Sequence, residues 1–279
     1  MNRLDSVKRA QVVSCLVEGN SIRATVRMTG VAKNTITKLL VDVGEACAKH
    51  HSRAVVEVPS RRVQCDEIWS FCYAKQKNVP LDKHGQFGYG NVWTWTAIDA
   101  DSKLCISWLV GTREADTALE FMDDVAYRLQ SRVQLTTDGH KAYLMAVDEA
   151  FGGGIDYAML QKLYGKQGDP ENPETRYSPG VCTGVKQEIV SGIPDPRHIS
   201  TSYVERQNLT MRMSMRRFTR LTNAFSKKAL NLSAAIALHF VYYNFCRVHQ
   251  TLKTTPAIAS GLADHVWSVD DIVKLLDSN

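Results

Sequence analysis

The sequence offers no disulfide framework. Its seven cysteines, Cys15, Cys47, Cys65, Cys72, Cys105, Cys182 and Cys246, are scattered, odd in number and never spaced C-x-x-C. That excludes a readable disulfide scaffold or zinc knuckle and leaves reduced structural thiols. No apolar stretch approaches the roughly 18 to 20 residues that a membrane helix needs, and the polar opening "MNRLDSVKRAQ" lacks the apolar core of an export signal. The expectation is a cytoplasmic protein with no membrane partner. Internal repeats and low-complexity tracts are also missing. Prolines are few, 8 in 279 residues, and most lie between 152 and 198, where "GGG" also falls. What is present is an ordinary globular composition, 44% hydrophobic and 23% charged, which excludes disorder of the whole chain.

The net charge of +5 is modest, but it is unevenly placed. Residues 1–62 carry eleven basic against five acidic side chains, 63–199 thirteen against nineteen, and 200–279 ten against five. An acidic middle between two basic flanks is a pattern that attracts a polyanion outside and cations inside.

The opening 50 residues read as three short helices. "VKRAQVVSCLVEG" places Val7, Ala10, Val13 and Val17 at helical spacing, and "SIRATVRMTG" starts on an N-cap serine, Ser21, and stops at Gly30. "VAKNTITKLLVDVGEAC" follows at once, so the segment reads as a helix-turn-helix domain over 1–50. In its third helix Lys33, Asn34, Thr35, Thr37 and Lys38 form a polar face opposite Ile36, Leu39 and Leu40, suited to a DNA major groove. Residues 51–62 read as a linker.

From residue 63 the pattern changes to strands. "VQCDEIWSFCYA", "VWTWTAIDA" and "KLCISWLVG" are β-rich, the last two joined by the turn "DADS". A helix with a stripe of Ala118, Phe121, Met122, Val125 and Leu129 comes next, then a short buried strand ending at Asp138, then another helix. Three strands, helix, strand, helix is the opening order of a ribonuclease H-like mixed sheet. The expected fold is therefore α/β, a ribonuclease H-like catalytic domain over 63–255 behind an all-α helix-turn-helix domain. Residues 152–198 read as an irregular insertion with short strand-like pieces at "IDYAMLQKLY" and "GVCTGVKQEIV", and 256–279 as a tail with a short helix. Long helical runs are expected at 200–218 and 226–250, the second apolar through Leu230, Ala234, Leu238 and Val241.

Three acidic residues stand at informative places. Asp66 falls inside the first strand, Asp138 closes the fourth at the carboxyl edge where α/β sheets bind ligands, and Glu205 lies in the first turn of a helix. An unpaired carboxylate within a strand costs several kcal/mol, so Asp66 calls for a partner, a proton or a metal ion. Clustered hard oxygens suit Mg2+ or Mn2+, and two such ions roughly 3.5 to 4 Å apart serve many nucleases and polymerases. Glu67, on the opposite strand face, reads as a supporting, salt-bridged residue. After Glu205 comes "RQNLTMRMSMRRFTRLTNAFSKK", which holds Arg206, Arg212, Arg216, Arg217 and Arg220 and no acid. Glu205, Asn208, Arg212 and Arg216 fall on one helical stripe, so arginines would face the same way as the proposed ligand and hold phosphate there.

The stretches "CDEIWSF", "TTDGHKAYL", "SYVERQNLTMRM" and "YNFCRVHQTL" resemble the catalytic core of Asp-Asp-Glu transposases of the insertion-sequence-one family, relatives of retroviral integrases, over about residues 61–255. The resemblance implies a transposase that binds the terminal inverted repeats of its element, frees a 3′-hydroxyl by hydrolysis and joins it to target DNA. It implies a catalytic and metal-binding triad of Asp66, Asp138 and Glu205 with two Mg2+ or Mn2+ ions, a homodimer or larger synaptic assembly, and a nucleoid location. His140, two residues beyond Asp138, and His249 in an "N-x-x-R-x-H" ending are accessory candidates. The chain departs from the family in lacking an opening cysteine zinc finger and in the 67 positions between Asp138 and Glu205. A structure-specific nuclease or resolvase on the same fold, and a non-catalytic DNA-binding descendant of a transposase, are the alternatives.

Overall fold

The computed structural model describes residues 4–165, 182–219 and 223–277. Its centre is a six-stranded mixed sheet of order β3-β2-β1-β4-β5-β6. The strands are β1 (Arg62–Cys72), β2 (Gly90–Asp99), β3 (Cys105–Gly111), β4 (Gln134–Thr137), β5 (Asp156–Tyr164) and β6 (Cys182–Ser191). The first three form an antiparallel meander, β4 and β5 run parallel to β1, and β6 returns antiparallel to β5. This is the ribonuclease H-like α/β arrangement expected from the strand order.

Helices α4 (Ala115–Arg128) and α5 (Ala142–Phe151) cover one face of the sheet, and α6 (Ser202–Ser214) and α7 (Ala229–Val241) the other. Along β1 the alternation is strict. Val63 and Cys65 pack with Trp95, Phe121 and Tyr143 in the core under α4 and α5, while Ile68 joins Met211, Phe218 and Phe240 under α6 and α7. Gln64, on the α6 side, accepts hydrogen bonds from the backbone N–H of Tyr203 (2.8 Å) and Val204 (3.2 Å) and so fixes the start of α6 against β1.

The segment expected as an irregular insertion contains β5, an inner strand of the sheet. The two strand-like pieces expected there are β5 and β6, and Tyr157 to Leu160 are all buried, the continuous apolar run of a strand covered on both faces. Leu230, expected on the apolar stripe of α7, is exposed, whereas Ala234, Leu238 and Val241 are core. The run Ala229–Cys246 is long and apolar enough to cross a membrane, contrary to the sequence expectation, and 61% of it is buried inside the fold. α7 ends in a π-turn, Tyr242–Cys246, whose buried Asn244 accepts from the Cys105 N–H (3.0 Å) and donates to the Cys105 carbonyl (2.9 Å).

At the other end are α1 (Ser6–Val17), α2 (Ile22–Thr29) and α3 (Lys33–Ala54). Ser21 caps α2 by accepting from the Ala24 N–H (3.1 Å), and Gly30 turns the chain at φ 71°. Val7 is exposed, and Val12 takes its expected place in the core. α3 runs past the expected boundary at 50 and through the first residues of the expected linker, and His51, Val55, Val58 and Ser60 are buried. The reason is packing. α3 lies on α7, with Gly44 so close to Ala234 that a Cβ at Gly44 would come within 2.5 Å of it. The tail adds α8 (Pro256–Ala259) and α9 (Val269–Lys274), the latter closed by a capping box between Ser268 and Asp271.

Candidate active site

β4 is only four residues long, and its pairing with β1 stops at Cys65 opposite Thr137. Asp66 and Glu67 therefore lie just beyond the last paired residue, and Asp138 is the first residue after β4. The carboxylate oxygens of Asp66, Glu67 and Asp138 come within 4.8 Å of one another. Alternation still sends Asp66 to the α6 side and Glu67 to the α4/α5 side. Past the end of β4, however, no strand separates them, and Asp138 meets both.

Each carboxylate is held. Asp66 accepts from the Asn208 amide (Oδ2, 2.8 Å) and from the Glu67 backbone N–H (Oδ1, 2.8 Å). Glu67, whose side chain is fully buried, accepts from Arg113 Nε (2.8 Å) and the Tyr143 hydroxyl (3.2 Å), the salt bridge expected for it. Arg113 also lies 3.9 Å from Asp138 and over the ring of Trp93. Asp138 accepts from the His140 N–H (3.0 Å), a turn that closes the edge of β4. Burial, and then the charges of Glu67 and Asp138, push the Asp66 carboxyl up to about 7. Burial and Asp138 raise Glu67 as well.

Glu205 sits on α6 in the wall of the same cleft, outside the close trio. It is ion-paired with Lys162 of β5 and accepts from the Thr201 hydroxyl (2.7 Å). The cleft has a volume of about 890 Å³, with Asp66, Glu67, Asp138 and Glu205 among its lining and Arg113, Lys141, Lys162 and Arg212 around them. Asp138 stands just after the carboxyl end of β4, Asp66 and Glu67 stand midway along β1 beside it, Leu160 to Lys162 and Tyr164 come from the second half of β5, and Arg113 follows β3.

The donor set fits a divalent cation. Three carboxylates converge on one spot with a single guanidinium among them, an arrangement that leaves negative charge uncompensated. The Asn208 Oδ1, buried beside Asp66, has no hydrogen-bond partner among the described residues and adds a further hard oxygen.

The other expected site residues divide. Arg212 lines the cleft. Asn208, expected on a DNA-binding face, is buried and serves Asp66. Arg206 is exposed on another side of α6. Arg216 leaves the stripe because α6 ends at Ser214 and Met215 is extended (φ −130°). Arg217 turns inward and donates to Ser226 (2.6 Å), tying the chain beside the end of β1. Arg220 lies outside the described residues. His140 lines the cleft, but its Nε2–H donates to the Arg113 carbonyl (3.2 Å), so its ring orients Arg113. His249 is not part of the cleft lining; burial and the charges of Lys103, Arg247 and Arg206 lower its pKa. Lys33, Asn34, Thr35 and Lys38 are exposed and Thr37 half-buried along α3, with Lys38 paired to Asp42 (2.7 Å). Sequence reasoning missed Arg113, Tyr143 and Lys162. Only Arg113 had a signal, its position just after a strand at the edge already holding Asp138.

No protein-family model matches the chain, and no curated protein does. Among solved structures the chain is similar to a Mos1 strand transfer complex (15% identity over 56% of this chain and 59% of that one, TM-score 0.25). It is also similar to a piggyBac transposase synaptic complex with hairpin DNA (11% identity, 99% and 70%, TM-score 0.42). A third is a Mos1 mariner paired-end complex with Mn (12% identity, 56% and 59%, TM-score 0.25). The chain thus spans under two thirds of the Mos1 chains it matches.

Proposed function

We propose that the chain is a DNA transposase that binds the terminal inverted repeats of an insertion sequence and catalyses metal-dependent 3′-end cleavage and strand transfer into target DNA. The observation that carries the reading is the meeting of Asp66, Glu67 and Asp138 beside the carboxyl end of β4, in a cleft shared with Glu205 and walled by cations. Asp66 and Asp138 would hold Mg2+ or Mn2+, with Glu205 completing the set. Divalent ions at such a site lower the pKa of a bound nucleophile and neutralise the leaving oxygen of an in-line phosphoryl transfer. Arg212 and Lys141 would position the backbone phosphates by charge. Arg113 and Tyr143 hold Glu67 in place, and Asn208 orients Asp66. Glu205 is bound to Lys162 and Thr201 here, so engaging an ion requires it to give up the Lys162 contact. The exposed polar start of α3, with Lys33, Asn34, Thr35 and Lys38, is the proposed reader of the element ends.

The test uses labelled element-end DNA, a supercoiled target and Mg2+ or Mn2+. Joined products are expected from the natural chain, and Asp66→Ala, Asp138→Ala or Glu205→Ala should each lower them by at least about 100-fold, the several kcal/mol that metal-assisted charge stabilisation supplies. Cleavage without joining would instead mark a nuclease or resolvase. Tight binding without chemistry would mark a non-catalytic descendant.

A further inference from the structure

Strand β6 is the outer strand of the sheet, and its apolar side chains stand in solvent: Val185 is 53% exposed and Ile189 56%. The opposite outer strand is treated differently. Cys105, Ile106 and Ser107 of β3 are buried, and Asn244 bonds both backbone groups of Cys105. Among the described residues no strand pairs with the free edge of β6. A long uncovered edge is a template for another strand, and chains that do not use one blunt it with charge, proline or a cover.

The sequence of this edge is self-complementary. Antiparallel pairing of two copies about Gln187 sets Val185 opposite Ile189 of the partner subunit, and Lys186 opposite Glu188 of the partner subunit, each pair occurring twice by symmetry. The ladder with β5 is regular here, with Ala158 opposite Ile189, Leu160 opposite Gln187 and Lys162 opposite Val185. The apolar pairs would therefore lie on the same face as Lys162, beside the cleft, and the ionic pairs on the other. Within one chain Lys186 and Glu188 already sit 3.3 Å apart on that other face. We propose that two copies of this chain associate by antiparallel pairing of β6 about a two-fold axis at Gln187. The sheet then continues from one copy into the other, and both clefts open on the same side of it.

The argument needs nothing from the catalytic reading, and the experiment keeps the two apart because it uses neither DNA nor metal. The mass of the full-length chain is measured by analytical ultracentrifugation across micromolar concentrations, with circular dichroism to confirm folding. The natural chain is expected to be a dimer. Lys186→Glu and Glu188→Lys, which each set like charges opposite one another twice, should each raise the dissociation constant about tenfold or more. Mixing these two variants should return a heterodimer, because one then presents only acids and the other only bases, and the double variant K186E/E188K should dimerise as the natural chain does. A monomeric natural chain, expected if another part of the same chain lies along β6, overturns the proposal. So do single variants that dimerise normally, or a mixture that does not recover.

Discussion

At the scale of the residue, Asp66 exacts a cost from the fold. An acid whose proton is held more tightly when folded destabilises the native state as pH climbs from the unfolded value of 3.8 towards about 7, where it must ionise in a buried place. In chelator, Asp66→Asn should therefore melt higher than the natural chain at pH 8, with the gap closing near pH 4. Added Mn2+ should raise the melting temperature of the natural chain at pH 8 and leave Asp66→Asn unmoved. Thermal denaturation at the two pH values reads both effects, and equal curves would remove the idea of an uncompensated buried charge. Glu67→Gln should cost about 1 to 3 kcal/mol, since one of the two carboxyl oxygens that accept from Arg113 and Tyr143 becomes an amide NH2 that cannot accept. Chemical denaturation measures it. The carboxylates Asp66, Asp138 and Glu205 were legible because acids are costly inside strands and informative at strand ends. That Glu67 joins the cluster was not, because alternation fixes the face of a side chain and says nothing of where the neighbouring strand stops. Asn208 was misread for a related reason: helical spacing gave its stripe correctly, but not that the stripe points at β1 and away from solvent.

At the scale of the element, α3 and α7 cross in close contact. Gly44 has no room for a side chain against Ala234. Gly44→Ala gains helix propensity yet should destabilise by about 1 to 3 kcal/mol through overpacking, lowering the melting temperature. Ala234→Gly in the same chain should recover part of the loss. A neutral or stabilising Gly44→Ala would show that the helices can move apart. The helices themselves were legible from their apolar spacing and from Ser21 and Gly30. Their ends were not always so, since α3 continues to Ala54 on buried contacts that a window of sequence does not reveal. β5 was legible as a strand-like piece, but its place as an inner strand of the sheet was not, its apolar run being short and set among breakers.

Across the whole molecule, two histidines record how completely the layers close. His51 lies under β3 with Nε2 against the Cys105 carbonyl (3.2 Å), and His239 is buried on α7. Burial lowers both to about 3, so both rings are neutral in the native state. A base with lowered folded affinity contributes stability that is present above the unfolded value of 6.5 and is lost as pH falls towards about 3. Ring-nitrogen NMR should find both neutral at pH 5, and each should add about 1.4 kcal/mol of destabilisation per pH unit below 6.5. Titration of either ring near 6.5 would mean that water reaches these layers. The order of strands and helices, and so the ribonuclease H-like sheet, could be read from the alternation of patterns. The seating of α3 against α7 and β3 could not, because a change of pattern at residue 50 resembles a domain boundary whether or not the two sides touch.

The early end of β4 has one more consequence. Since nothing holds β1 beside β4 after Cys65, the side of the sheet on which a carboxylate appears depends only on the register of β1 with β2, Asp66 facing Thr96 and Glu67 facing Trp95. A single-residue deletion just before Asp66 would turn Glu67 to the α6 side, but it would also drive Asp66 into the place of Cys65 and turn Ile68 and Cys72 out of the core under α6 and α7. The acid on the α6 side is thus locked to the same register as the apolar residues that follow it, and the strand cannot slip by one residue without giving up that core.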